Sequence, residues 1–127
     1  MLLTLWVNIF EEWVKVDIIF QDRKLEKLCS DQPQLIRKYG MQRARLLIRR
    51  LGQFKVANNL EAMRTLPQVR CHELKGDRAG TLAVDLDHPY RLIFEPANDP
   101  IPRKPDGGLN WTEITVIRIL TVENYHD

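Results

Sequence analysis

The chain has 127 residues, of which 44% are hydrophobic and 28% charged, with a net charge of +2 and two cysteines. Such a chain fits one water-soluble globular domain with one modest core. Cys29 and Cys71 stand far apart with no Cys-x-x-Cys, which argues against a structural metal and fits reduced thiols in a cytoplasmic protein.

The net charge conceals an asymmetry. Residues 22–80 contain 14 Lys and Arg against 6 Asp and Glu, a local charge of +8. A basic half beside an acidic half implies a polyanionic partner on one side, although solvated helices produce the same pattern.

In residues 1–15, Leu2, Leu3, Leu5, Trp6, Ile9, Phe10, Trp13 and Val14 recur at helical spacing. Glu11, Glu12 and Lys15 interrupt that apolar extension. It lacks a basic start and a cleavage site, and it is too short and too charged to span a bilayer. The expectation is a cytoplasmic protein that makes no membrane contact, with its globular pattern in residues 16–127.

Residues 16–20 predict a strand, and Asp22 predicts a helix cap for an element through Leu25, Leu28 and Cys29. Residues 30–33 mark a turn or a new helix start, with Pro33 tolerated in a first turn, and Gly40 punctuates the helical region. Residues 41–54 carry the strongest helical signal. Met41, Ala44, Leu47, Ile48 and Leu51 form its apolar stripe, leaving Arg43, Arg45, Arg49 and Arg50 to the flanks and back. Asn58-Asn59 predicts the cap of a short helix over residues 60–66, which Pro67 stops.

Beyond Pro67 the period changes to two. Leu82, Val84 and Leu86 alternate with Ala83, Asp85 and Asp87, then Tyr90, Leu92 and Phe94 with Arg91, Ile93 and Glu95. These predict half-buried antiparallel strands. Residues 96–110 hold four prolines and Gly107-Gly108, a loop long enough for a role or for mobility. Residues 112–122 predict a last strand. Helices first and strands after give an α+β fold, N-terminal helices packed on a small, mostly antiparallel, curved sheet.

Residues 70–94 gather His72, Lys75, Arg78 and Arg91 into this one sheet. A group able to move a proton beside fixed cations suits a phosphate whose negative charge grows during reaction. Arg91 lies inside an apolar strand, so it needs a partner: a carboxylate such as Asp85 or Asp87, or a ligand.

The run Arg70-Cys-His-Glu-Leu-Lys-Gly-Asp-Arg-Ala-Gly80, then Pro89-Tyr-Arg-Leu-Ile-Phe94, then Glu123-Asn-Tyr-His126 resembles the HigB-type branch of the RelE/ParE toxin superfamily. The likeness covers roughly residues 16–126. It implies a RelE-like fold and the toxin of a type II toxin–antitoxin system, a ribosome-dependent endoribonuclease that cuts messenger RNA without a metal or other cofactor. Its implied partners are the ribosome, mRNA and a cognate antitoxin, a small helix-turn-helix protein through which alone it would meet operator DNA. By position, His72, Lys75, Arg91 and His126 match the family's active residues. Asn124 departs from the pattern, since an acidic residue often sits there.

Around that set, Arg78, Arg43, Arg49 and Arg50 are candidate RNA-backbone contacts, and Tyr90 and Tyr125 candidate base-stacking surfaces. His88, before Pro89, reads as a structural turn residue. Two other readings stand beside the nuclease. One is a ParE-like gyrase inhibitor, against which His72 and Lys75 together argue. The other is a non-enzymatic component or regulator of a toxin–antitoxin complex, for which Asn124 and the apolar extension argue.

Overall fold

The computed structural model describes residues 15–125, so the apolar extension over residues 1–14 and His126 lie outside the described residues. The chain opens with strand β1, Asp17–Phe20. Helix α1 follows, Arg23–Cys29, with the Asp22 carboxylate accepting from the Leu25 N–H at 2.8 Å. Asp31 caps α2, Gln32–Tyr39, which carries Pro33 in its first turn where a missing N–H costs nothing. Gly40, at φ +87°, is the joint between α2 and α3, Met41–Val56. A positive φ of that kind is open mainly to glycine. Asn59 accepts from the Ala62 N–H at 3.1 Å and starts the short α4, Glu61–Arg64, briefer than the pattern predicts.

The strands then assemble: β2, His72–Glu73; β3, Leu82–Asp85; β4, Tyr90–Pro96; and β5, Val116–Asn124. They form one five-stranded sheet in the order β1-β5-β4-β3-β2. Every pairing is antiparallel except β1 with β5. The architecture is α+β. Among the described residues no helix is long and apolar enough to cross a membrane.

Helices α2 and α3 pack on one face of the sheet. Leu35, Leu47, Phe54, Leu92, Phe94, Ile117 and Ile119 are buried in a single apolar cluster, with the Phe54 and Phe94 rings edge to face at 5.0 Å. The α3 stripe differs from the sequence pattern at both margins. Met41 and Ile48 are 50% and 37% exposed, while Arg50 is only 5% exposed. Its Nε donates to the Asp85 carbonyl at 2.7 Å and its Nη1 to Gln53 at 3.2 Å. A long side chain whose donors find partners can take a core-facing position that the stripe assigns to an aliphatic residue.

The proline-rich loop is fastened at several points. The Asn98 carboxamide accepts from the Thr115 and Val116 N–H groups, both at 3.0 Å, and donates to the Thr115 hydroxyl. Arg103 pairs with Leu109 across the loop, and Leu109 and Trp111 are buried. Residues 111–113 form a 3-10 turn, so β5 starts later and runs further than expected.

One irregularity decides what the second face carries. Phe94 pairs with Ile119, but the adjacent Ile93 pairs with Thr121, so Leu120 is an extra residue in β5. Such a bulge reverses the alternation. Ile117 and Ile119 point into the helix-side core, whereas Thr121 and Glu123 join the opposite face, the open face, whose central Ala83 and Ile93 are themselves buried.

Candidate active site

On the open face the register builds two adjacent rows. His72, Ala83, Ile93 and Thr121 lie in line across β2, β3, β4 and β5; Asp85, Arg91 and Glu123 form the next row across β3, β4 and β5. Strand pairs share a face and residues two apart share it too. His72 and Arg91 are therefore on one surface, two strands and one row apart, or about 12 Å between Cα atoms.

The 3-10 turn Gly76–Arg78, between β2 and β3, brings a second arginine to this surface. Arg78 donates to both carboxylate oxygens of Glu123, the longer contact at 2.7 Å. Arg91 makes one weaker contact with the same carboxylate, at 3.3 Å. The Arg91 side chain is 16% exposed, and its Nε is buried without a hydrogen-bond partner among the described residues. Its guanidinium lies 4.9 Å from the Tyr125 ring. Tyr125 in turn exchanges a 3.0 Å hydrogen bond with the His88 Nδ1.

The bonds from Arg78, then the nearby charges of Arg78 and Arg91, hold the Glu123 carboxyl below its usual range although burial opposes them. Arg78 is correspondingly raised, chiefly by the same hydrogen bond. Glu123 is thus an anion at neutral pH, shared unequally by two cations. An orphaned, buried guanidinium N–H costs free energy.

His72 has a defined tautomer. Its Nδ1 lies 2.6 Å from the Arg70 carbonyl oxygen, which can only accept, so Nδ1 carries a hydrogen and Nε2 is the proton-accepting nitrogen of the neutral ring. Arg70 itself has φ +49°, an uncommon conformation for a non-glycine residue. Lys75 is exposed and begins the turn that carries Arg78.

The sheet divides the predicted residues. His72, Arg78, Arg91 and Tyr125 belong to the open face and its turn, with Lys75 at the turn's start. Tyr90 does not belong there. Alternation sends it to the helix side, where the Arg43 guanidinium stacks on its ring at 3.3 Å. Arg43 is also held in two hydrogen bonds by Asp87, at 3.0 and 3.1 Å. Neither Tyr90 nor Arg43 is therefore available to RNA on the Arg91 face, and Arg50 is buried in the body. Arg49 remains exposed on α3. The partner of Arg91 is Glu123; Asp85 pairs with Arg70 at 3.6 Å and Asp87 with Arg43. Glu123 was legible as part of a terminal motif, but its place beside Arg91 was not.

The thiols offer no nucleophile. Burial raises Cys29 to about 11 and Cys71 to about 12. Among the described residues no three His, Cys, Asp or Glu side chains form a metal-binding group. No family model, curated protein or solved structure matches this chain.

Proposed function

We propose that the open face binds a phosphodiester and that the protein is a toxin of the HigB type, an endoribonuclease acting on messenger RNA at the ribosome. The observation that carries this reading is the shared surface of His72, with its fixed tautomer, and Arg91, whose partly exposed side chain is held to Glu123 by a weak contact at 3.3 Å. The sequence resemblance selects RNA as the anion. In the reaction a base removes the proton of a 2′-hydroxyl. The 2′-oxygen attacks the adjacent phosphorus, the bond to the 5′-oxygen breaks, and an acid protonates that oxygen. A 2′,3′-cyclic phosphate and a 5′-hydroxyl result.

His72 Nε2 suits one of these proton transfers, which contribute about 10²–10⁴-fold in rate. His126, from the terminal motif, is the proposed partner for the other. Arg91 and Lys75 steady the charge that grows on the phosphate. Glu123 occupies Arg91 when no phosphate is present, and its attachment to Arg78 gives it somewhere to stay when the phosphate arrives. No cofactor enters this scheme. A cognate antitoxin and the ribosome are the proposed partners, in the cytoplasm.

Induction followed by mapping of message 5′ ends tests the reading. New ends in reading frame are expected, and His72→Ala and Arg91→Ala should remove them. Intact messages during growth arrest would sink it, and DNA breaks in their place would assign the protein to gyrase. Harmless expression of wild type and Arg91→Ala alike would leave a regulator of a toxin–antitoxin complex.

A further inference from the structure

A second cationic feature lies away from the Arg78–Glu123–Arg91 cluster. Helices α1 and α2 form a hairpin, and between them runs a groove of about 540 Å³ lined by Lys24, Lys27, Leu28, Asp31, Arg37 and Lys38, among others. Lys24, Lys27 and Leu28 are three and four residues apart on α1. Arg37 and Lys38 follow Gln34, another lining residue, at the same intervals on α2. That spacing gives each helix one face directed at the groove.

The charge of the groove is unbalanced. Four cations meet a single carboxylate, and that carboxylate is engaged as the α2 cap, accepting from the Gln34 N–H at 3.2 Å. Among the described residues, none of the four takes part in an ion pair. Elsewhere the arginines of this protein find carboxylates readily: Arg43, Arg64, Arg70, Arg78, Arg91 and Arg118 all do so. Lys24 and Lys27, three residues apart on α1, repel one another. A polyanion relieves that repulsion.

The groove also has a direction. Lys24, Leu28 and Lys38 line a second hollow as well, whose far wall is Leu120 and Thr121 of β5. β1 ends at Phe20, opposite Ile119, so the flank of β5 beyond that point is left without a strand neighbour on this side. Thr121 stands in the same cross-strand row as His72, about 14 Å away across three strand spacings.

We infer that the α1–α2 groove is a binding track for the phosphate backbone of single-stranded RNA, leading the strand over the bulged part of β5 toward the open face. This rests on the proposed nuclease reading for its choice of RNA. The contacts are to phosphate, so the track is indifferent to sequence and sensitive to salt.

The experiment uses the full chain silenced by His72→Ala and a fluorescent single-stranded oligouridine. Anisotropy gives the dissociation constant over a series of salt concentrations. Lys27→Gln with Arg37→Gln removes one cation from each wall. Arg45→Gln with Lys55→Gln removes the same charge from exposed positions of α3 outside the candidate site. The groove pair is expected to flatten the slope of log affinity against log salt by about 1.4, from about 0.7 per lost phosphate contact. The α3 pair is expected to leave it within experimental scatter. Equal slopes for the two pairs, or no salt-dependent binding by the parent chain, would overturn the track. Loss of the groove effect while messages are still cut leaves the nuclease reading standing. A groove effect without message cleavage supports the track and refutes the nuclease.

Discussion

Arg78 and Glu123 are joined across the full width of β4. The first sits in the turn between β2 and β3, the second on β5, and their side chains meet through both carboxylate oxygens. A surface loop is thereby fixed to the sheet beside Arg91, and the carboxylate bonded to Arg91 is kept ionised.

The pH dependence of stability follows from that bond. Hydrogen bonding to Arg78 places the folded-state pKa of Glu123 below its unfolded value. The stabilisation is therefore complete above the unfolded value and is lost as pH falls through the folded one. Both side chains are partly exposed, so solvent screening reduces the effect. Glu123→Gln is expected to lower stability by about 1 kcal/mol at pH 7. The gap between variant and wild type should close as pH falls below the ordinary glutamate value of about 4.3. Urea denaturation at a series of pH values checks this, and a gap that is flat with pH would contradict it.

Arg91 tests function separately from stability. Its single 3.3 Å contact is the weaker half of the Glu123 arrangement, and Arg78 retains the carboxylate when Arg91 is removed. Arg91→Ala should cut the message-cleavage rate by about 10²–10³-fold with little change in the thermal midpoint. Arg91→Lys should recover less than about tenfold, because an ammonium lacks the planar fork that brackets two phosphate oxygens. Full recovery by lysine would mean that net charge alone matters at this position.

Two neighbouring arginines on α3 should behave oppositely. Arg50 is buried and donates to the Asp85 carbonyl at 2.7 Å. Arg50→Ala leaves that acceptor and a cavity behind, at a cost of about 2–3 kcal/mol. Arg49 is exposed, and Arg49→Ala should change stability by less than about 0.5 kcal/mol. Chemical denaturation of the two variants in parallel is decisive, and similar midpoints would contradict the burial of Arg50.

The cysteines should be inert in the folded protein. With Cys29 raised to about 11 and Cys71 to about 12, chiefly by burial, the thiolate is scarce at pH 8. Reaction with a chromogenic disulfide reagent should be at least about 10²-fold slower than for free cysteine. In denaturant both thiols should react at once. Fast labelling of the native protein would show that these sites open readily.

Much of the local structure was legible. Asp22, Pro33, Gly40 and Asn59 each act on their own few residues, and each does in the fold what its chemistry predicts. The apolar period marked α3 and the alternating strands well enough to give the α+β class. The site was legible only in part. His72 and Arg91 were visible as types at suggestive places, whereas Tyr90, Arg43 and Arg50 were drawn into the RNA set by composition alone. Tyr90 and Arg91 are adjacent in the chain, yet a pleated strand sends them to opposite faces. Arg43 then covers the Tyr90 ring from the helix side.

The amino-acid sequence alone determined the caps, turns and periods, because those depend on residues within a few positions of one another. The placement of Glu123 depended on the whole sheet. An unbroken alternation from Ile117 would send Glu123 into the core; one extra residue at Leu120 turns it outward to meet Arg78 and Arg91. A bulge exists only when two strands are paired, so its effect is a property of the register between β4 and β5 and of no local pattern in either strand.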